Sequence, residues 1–317
     1  MEFIQRNYLW MHWFVFWRND MKVFYTKTYN VWNDNTRKHD IVVQAAKKLG
    51  YDEIALFKFD DTYDSDDELH VRMQGITAAV SRDSIVIFQY PSMISARYDS
   101  FVMEHLKNTC SAKVAVIVED LGSRIDPLDY KQLSDEIDLF NKADLLIVQS
   151  TEMELYLKEN GLKEMPVLYQ RVWDYPYDFC LDELEIDKKV EQIHDISMQH
   201  MLDLKKAGLA LCTTTDRENK YGLMINPFEI GFCICAGIPV IVPEQTNIAD
   251  FVSQYGIGFI MSDDENIDEV LNHISDEDIA KAKEQEKKLA PAVADGMFTK
   301  LMLQEVVCRI IDNICLI

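Results

Sequence analysis

The amino-acid sequence predicts an α/β protein with two domains, the first of them built on a parallel sheet. Its 317 residues exceed the size at which a single hydrophobic core normally stops growing, so two domains are expected. Continuous apolar runs alternate with amphipathic helical patterns over residues 21–161, which is typical of parallel strands covered by helices on both faces. Residues 173–176 combine two aromatic residues with a proline and indicate a hinge, after which a second series of strands and helices begins.

The charge balance restricts the partners of the protein. The chain has 54 acidic against 32 basic residues and a formal net charge of −22. A field of this sign repels phosphate backbones and anionic lipid headgroups, so binding of nucleic acid over a broad surface is not expected. The net negative charge does not exclude a local basic pocket that holds one diphosphate.

The seven cysteines are odd in number and scattered, and most of them lie in apolar runs. Cys233 and Cys235 form a C-x-C pattern that has no second pair and no nearby histidine, so no metal site is predicted there. Buried thiols in a reducing compartment, the cytoplasm, are the interpretation that we favour.

Residues 1–20 form an aromatic N-terminal extension ahead of a first domain that begins at Met21. Residues 8–17 contain three of the five tryptophans and are too few to span a bilayer. Two interpretations stay open for them: an anchor that lies in a membrane interface, and a plain extension, which we favour.

Each element of the first domain follows from a local pattern. Apolar runs predict strands at residues 22–26, 53–57, 85–88, 113–118 and 145–148. Apolar stripes at helical spacing predict helices at residues 37–49, 64–80, 101–107, 137–142 and 151–160. The carboxylates at residues 64–68 are interpreted as a helix N-terminus rather than as a metal site, because negative charge stabilises that end of a helix.

The second domain has fewer predicted strands. They lie at residues 208–212, 240–243 and 258–260. Helices are predicted at residues 197–206, 226–236 and 248–254, and the remainder after the strand at 258–260 is predicted to be helical up to residue 317. In the helix at 226–236, Asn226 is a natural N-cap and Pro227 suits the first helical position. No strand is predicted in the charged stretch at 183–206.

Ligands of parallel sheets bind outside the carboxyl ends of the strands, which places the candidate site in the loops that follow them. No loop contains G-x-G-x-x-G or G-x-x-x-x-G-K-[ST], which argues against a nicotinamide or P-loop enzyme. Glu119 and Asp120 follow the fourth strand, where a carboxylate can act as a base towards an acceptor hydroxyl or simply cap the next turn. Asn30 and Gln89 are expected to line the acceptor side.

Several segments resemble a group of bacterial GT-B glycosyltransferases. The group comprises the glucosyltransferases of serine-rich-repeat adhesins and the related galactofuranosyltransferases of surface polysaccharide synthesis. The segments are residues 47–54, 85–91, 140–148, 172–175, 236–243, 247–252 and 256–258. Each is unspecific alone, but their common order over residues 21–261 is specific.

The resemblance implies two facing Rossmann-like domains, residues 21–175 and residues 176–317, of which the second is shortened and ends in helices. It also implies a UDP-sugar donor that is held mainly by the second domain. No metal or other cofactor is expected, because helix N-termini and side chains carry the diphosphate charge. Asn226 and Pro227 match the family segment in which a helix N-terminus meets the diphosphate.

Departures from the family pattern fall mainly on the donor site. Glu229 stands at the position of a family lysine and would repel phosphate, and Ile225 replaces the first asparagine of the same segment. Glu119 and Asp120 replace a histidine–aspartate pair. Residues 179–204 contain no match for the Gly-Asn turn and the donor-binding basic residue of the family.

Four further residues are candidate substrate contacts, each with a plainer alternative. Arg171 faces the cleft or pairs with Asp174 at the hinge. Thr213 begins a run of three threonines that holds ribose or phosphate, or forms a turn. Lys220 and Tyr221 precede the helix at 226–236 and compensate for the missing lysine, or lie in solvent.

Two functions therefore compete. The first is transfer of a hexose from a UDP-sugar to a sugar on a protein or polysaccharide acceptor. The second is a degenerate relative that binds a partner or a glycan without catalysis, which Glu229 and the missing stretch favour. Formation of a homo-oligomer and weak membrane association through residues 8–17 stay open.

Overall fold

The computed structural model contains two parallel β-sheets with helices packed on them. It describes residues 21–31, 37–125, 133–176, 188–193, 207–212, 222, 224–262 and 266–315. The aromatic extension and the helix predicted at 197–206 lie outside these ranges. Within them, no helix has the length and apolar content needed to cross a lipid bilayer.

The first sheet has six parallel strands over the part of the chain that the structure describes. They are β1 (Val23–Tyr29), β2 (Asp52–Phe57), β3 (Ile85–Tyr90), β4 (Lys113–Val118), β5 (Leu145–Val148) and β6 (Val167–Tyr169), in the order β2-β1-β3-β4-β5-β6. The sequence predicts all of them except β6. The residues of β3 and β5 are all buried, as strands covered on both faces require. The strand order reverses between β1 and β3, where such sheets bind ligands.

Besides a 3₁₀-helix (Asp61–Tyr63) and a π-helix (His105–Thr109), the described part of the first domain has six α-helices around this sheet. They are α1 (Arg37–Lys48), α2 (Asp66–Ile76), α3 (Ala96–Glu104), α4 (Gly122–Ile125), α5 (Leu133–Phe140) and α6 (Thr151–Glu159). At the start of α2, the Ser65 hydroxyl accepts the Glu68 amide and the Glu68 carboxylate accepts the Ser65 amide, so the acidic run is a helix N-terminus as predicted. Helix α3 begins five residues earlier than predicted, because Ser95 caps it.

The second sheet has four parallel strands among the described residues. They are β7 (Lys188–Ile193), β8 (Ala207–Cys212), β9 (Val240–Pro243) and β10 (Gly258–Met261), in the order β10-β9-β8-β7. Strand β7 lies in the charged stretch where no strand is predicted from the sequence. The predicted domain boundary at residues 175–176 falls between β6 and β7, and we call the parts on either side the first and second domains.

The described helices of the second half are α7 (Glu229–Ala236), α8 (Asn247–Tyr255), α9 (Ile267–His273), α10 (Asp276–Ala294) and α11 (Met297–Cys315). Helix α7 begins two residues after Pro227, the predicted first helical position. Its N-cap residue is Phe228, which makes no side-chain capping bond, so the expectation that Asn226 caps this helix is wrong. The amide of Asn226 bonds elsewhere, as described below.

Helix α11 returns to the first domain and packs against α1. One cluster of buried residues contains Ile41 and Val42 of α1 together with Leu303 and Val306 of α11. Helix α11 of the second half therefore packs on the first domain, and the two domains share a continuous apolar core.

Asp174 holds the start of α11 at the hinge. Its buried carboxylate accepts the backbone amides of Phe298 (3.3 Å) and Thr299 (2.6 Å), and burial raises its pKa to about 6. The carboxylate thus bonds the first turn of α11, which contradicts the alternative that pairs Asp174 with Arg171. The Arg171 side chain is exposed.

Helix α7 packs directly against the hinge at Gly231, where the space admits only glycine. A Cβ atom on Gly231 would stand 2.3 Å from the carbonyl oxygen of Trp173 and 3.2 Å from the carbonyl carbon of Asp174. Because both neighbours are backbone atoms, neither can turn aside as a side chain could. The close approach of α7 to residues 173–174 therefore fixes the second domain on the first.

We expect Gly231→Ala to lower the free energy of unfolding by about 1–3 kcal/mol, because the added methyl group overpacks this contact. Gly75→Ala is the matched control, since a Cβ atom there meets nothing within 4 Å and Gly75 lies inside α2. The control should raise the free energy of unfolding by about 0.5–1 kcal/mol. Urea unfolding measures both, and a Gly231→Ala protein as stable as the control would contradict the close approach.

Candidate functional site

Buried polar side chains mark the carboxyl ends of four neighbouring strands in the first sheet. Gln89 is near the end of β3, and Glu119, Gln149 and Gln170 directly follow β4, β5 and β6. Each of the four is no more than 2% exposed. Because buried polar groups in proteins are normally hydrogen-bonded, the partners of these side chains show how the edge is built.

Glu119 meets His39 of α1 below the surface. The Nε2 atom of His39 lies 3.1 Å from Oε2 of Glu119, and both side chains are buried. Burial raises the pKa of the Glu119 carboxyl well above its usual range and lowers the pKa of His39 to about 4, against a hydrogen bond between His39 and the backbone of Pro91. Burial therefore favours the uncharged form of both groups.

Lys38 and Asp120 lie next to this buried pair and closer to solvent. The Nζ atom of Lys38 is 3.1 Å from Oδ2 of Asp120 and 3.0 Å from the carbonyl oxygen of Glu119. The side chains of Lys38 and Asp120 are 13% and 17% exposed. The ammonium group also lies 5.9 Å from the ring centroid of Trp173, within the range of a cation–π contact. An ion pair thus stands at the rim of the edge, and the buried contact between His39 and Glu119 lies beneath it.

Gln149 connects the first sheet to the segment that precedes α7. Its side-chain nitrogen donates to the carbonyl oxygen of Glu119. Its side-chain oxygen accepts the backbone amide of Asn226 (2.9 Å) and the indole N–H of Trp173 (3.2 Å). Both the nitrogen and the oxygen of this side-chain amide are therefore hydrogen-bonded, and the side chain connects the end of β4, the hinge and the second domain.

The side-chain nitrogen of Asn226 completes the connection. It lies within hydrogen-bond distance of three carbonyl oxygens, those of Gln149 (2.9 Å), Gln170 (2.7 Å) and Arg171 (3.2 Å). Asn226 is 2% exposed. The structure thus gives its amide an interdomain role, and a contact with a diphosphate stays a prediction.

Two predicted site residues are buried more deeply than expected. Gln89 was expected to line the acceptor side, but it is 1% exposed, and its backbone amide and side-chain nitrogen bond the hydroxyl and the carbonyl of Thr26. Glu119 was expected as a base that contacts an acceptor hydroxyl, but its carboxyl faces His39 and is 2% exposed. Neither side chain reaches the surface in this structure, and direct contact with an acceptor stays a prediction for both.

The other predicted residues are distributed around the edge. Asn30 is exposed just after β1 and has a φ of 62°. Asp120 is at the rim, as described above. Arg171 is exposed, and Pro227 lies next to the start of α7, where its carbonyl oxygen accepts the amide of Ile230 (3.4 Å). Thr213, Lys220 and Tyr221 lie outside the described residues.

Glu229 is the first residue of α7. A carboxylate in the first turn stabilises the helix through its dipole, but it opposes an anion at the same place. In the described part of the chain, no group of three or more histidine, cysteine, aspartate or glutamate side chains is arranged to hold a metal ion.

Sequence reasoning missed the contribution of α1. Lys38 and His39 lie in its first turn. The helix that follows a parallel strand begins at the carboxyl edge of the sheet. The first turn of the helix predicted at 37–49 could therefore have been expected to lie next to Glu119 and Asp120. The position of Gln149 at this edge could have been predicted in the same way, because Gln149 directly follows the fifth predicted strand.

Comparisons with known proteins agree with this architecture. Residues 22–172 match the family model described as the N-terminal domain of Glucosyltransferase 3-like proteins, and residues 197–306 match the model of the C-terminal domain. Two relatives are both named Glucosyltransferase 3. The one from Streptococcus gordonii is 27% identical in an alignment 336 positions long, which covers 92% of this chain and all of the relative. The one from Streptococcus parasanguinis is 23% identical over 85% of this chain and 92% of the relative.

Solved structures show the same fold at low sequence identity. The sucrose-phosphate synthase of Thermosynechococcus elongatus has a TM-score of 0.54 at 10% identity and covers 92% of this chain and all of its own. The Anabaena protein HepE, in complex with UDP and glucose, has a TM-score of 0.51 at 11% identity and covers 91% of this chain and all of its own. The predicted architecture of two Rossmann-like domains is thereby confirmed. With both family models matched in order along the chain, this protein belongs to the Glucosyltransferase 3-like family of GT-B glycosyltransferases.

Proposed function

We propose that this protein transfers a hexose from a UDP-sugar to a sugar on a protein or polysaccharide acceptor. The observation that carries the proposal is the partly exposed ion pair between Lys38 of α1 and Asp120, which follows β4. The pair lies at the edge where parallel sheets bind ligands. The acceptor sugar lies against this edge, with one of its hydroxyl groups on Asp120. The second domain holds the donor, and Asn226 keeps the two domains together across the edge.

Asp120 is the carboxylate that contacts the acceptor in this proposal. A base must come within hydrogen-bond distance of the proton that it takes, and of the two predicted carboxylates only Asp120 is near solvent. Lys38 fixes the orientation of Asp120 and offsets its charge. Glu119 lies beneath it and does not touch the substrate.

The donor site is placed at the start of α7 without a metal ion. Backbone amides at the start of a helix favour anions, and Pro227 leads directly into this one. Thr213, Lys220 and Tyr221 remain predicted donor contacts. The HepE structure with bound UDP and glucose supports a UDP-sugar as the donor, since HepE has the same fold.

The competing proposal is a degenerate relative that binds nucleotide or glycan without turnover. Glu229 favours it, because a carboxylate in the first turn of α7 opposes the diphosphate. Titration with UDP, together with UDP release from UDP-glucose in the presence of several monosaccharides, separates the two. UDP binding without UDP release in the presence of any acceptor tried would support the degenerate relative.

We expect Asp120→Asn to lower kcat for UDP release by about 100- to 10 000-fold, the usual contribution of a general base. The variant keeps the size of the side chain but removes its basicity. Asp138→Asn, an exposed position on α5, is the matched control and should leave kcat unchanged. Wild-type turnover by the Asp120→Asn protein would contradict the role given to Asp120.

We expect Glu229→Lys to tighten UDP binding by about tenfold, equivalent to about 1.4 kcal/mol, because it replaces repulsion of the diphosphate by attraction. Asp268→Lys changes the net charge by the same amount in the first turn of α9 and is exposed, so it controls for general charge effects. Isothermal titration with UDP measures both affinities. Equal affinities of the two variants would place the diphosphate away from α7.

A further inference from the structure

Glu136 of α5 joins the ends of two strands of the first sheet through its buried carboxyl group. Its Oε1 atom accepts the hydroxyl of Tyr90, the last residue of β3, at 2.8 Å. Its Oε2 atom accepts the backbone amide of Ser123, five residues after the end of β4, at 3.3 Å. Glu136 is 2% exposed and Tyr90 is 1% exposed. Because a buried carboxyl group is costly unless it is hydrogen-bonded, these two bonds account for its place inside the protein.

The ring of Tyr90 packs on the same face of α5 that carries Glu136. It meets the ring of Phe140 edge to face, with ring centroids 4.9 Å apart and planes at 87°. Phe140 follows Glu136 by four residues, so the two side chains are neighbours on one side of the helix. The packing of the ring therefore directs the hydroxyl of Tyr90 to the carboxyl group of Glu136.

Tyr90 also holds the segment after β4 at its other end. Its carbonyl oxygen accepts the backbone amide of Glu119 at 2.9 Å. Residues 119–123 are therefore bonded to Tyr90 directly at their first residue, and through Glu136 at their last. Asp120 lies between these two points. We call the bonds of Tyr90 and Glu136 to residues 119–123 the clamp.

Both ends of the clamp are needed to restrain the segment. The carbonyl oxygen of Glu119 accepts the side-chain nitrogen of Gln149 and the Nζ atom of Lys38, so the first end has further partners. Each residue has two soft backbone dihedral angles, and fixing one end of a five-residue segment leaves those of the following residues free. The bond of Glu136 at the other end removes most of this freedom. It thereby restrains the direction in which Asp120 points.

We propose that Tyr90 and Glu136 are positioning residues, which hold residues 119–123 at both ends and keep Asp120 directed towards the acceptor. Both side chains are buried, and neither touches the substrate. The effect on catalysis rests on the proposed function, whereas the clamp does not. A purely structural role would lower turnover whether or not Asp120 is present, but a positioning role acts only through Asp120.

Glu136→Gln and Tyr90→Phe break the clamp with the smallest changes of side chain, because glutamine has one acceptor oxygen in place of two and phenylalanine has no hydroxyl. We expect each to lower kcat for UDP release by about 10- to 100-fold with little change in KM for the UDP-sugar, since Asp120 is misplaced and the donor site is intact. Asp135→Asn on α5 and Tyr63→Phe are the matched controls, because both residues are exposed, and they should keep the wild-type kcat. A wild-type kcat in Glu136→Gln would overturn the proposal.

The same change in an Asp120→Asn protein separates positioning from a general loss of structure. Residues that act as a unit have non-additive effects on turnover. We expect Glu136→Gln to lower the remaining kcat of Asp120→Asn by less than about twofold, because the base that it positions is already absent. A further loss of about 10- to 100-fold would overturn the proposal, since Glu136 would then act independently of Asp120.

Hydrogen exchange of the full chain, followed by NMR, tests the clamp without any turnover. Hydrogen-bonded amides exchange slowly, so we expect the Ser123 amide to exchange at least about tenfold faster in Glu136→Ala than in the wild type. The Glu119 amide, which bonds the carbonyl oxygen of Tyr90, should keep its rate and is the internal control. Unchanged exchange at Ser123, or an equal rise at Ser123 and Glu119, would overturn the proposal. If exchange changes as expected while neither the wild type nor any variant releases UDP, the proposed function fails and the clamp stands.

Discussion

The hydrogen bonds between Asn226 and the carboxyl edge of the first sheet are the constraint on which the rest of the structure depends. The carbonyl groups after β5 and β6 are buried and need donors, because an unpaired buried polar group costs free energy. Asn226 supplies one donor group to the carbonyls of Gln149, Gln170 and Arg171. The second domain therefore covers the β5–β6 half of the edge, and the proposed acceptor site lies on the half formed by β1, β3 and β4.

The sequence predicted the alternation of strands and helices because buried parallel strands have continuous apolar runs, as in β3 and β5. It failed for β6 and β7, which end the two described sheets. An edge strand needs less apolar surface, and β7 carries charged residues such as Lys188 and Glu191, as edge strands often do. The sequence pattern predicted too early a start for α7, and the reason is different. Asn226 has the side chain of an N-cap, but tertiary hydrogen bonds hold it elsewhere.

The candidate site was predictable in location but not in chemistry. Strand ends predicted that Glu119 and Asp120 lie at the carboxyl edge of the first sheet, where the structure has them, and the family resemblance predicts that the donor lies near α7. What local patterns could not show is that α1 brings Lys38 and His39 onto those carboxylates, because that contact joins residues about 80 positions apart. The different burial of Glu119 and Asp120 follows from this contact. It leaves one of two neighbouring carboxylates inside the protein and the other at the rim.

A double-mutant cycle between Gln149 and Asn226 tests the interdomain constraint most directly. Gln149→Ala, Asn226→Ala and the double variant are compared by their free energies of unfolding in urea. The structure predicts a coupling energy of at least about 1 kcal/mol, because the two side chains share hydrogen bonds within one network. Additivity within about 0.3 kcal/mol would mean that these side chains do not interact, and that the second domain is not held on the edge of the first sheet in this way.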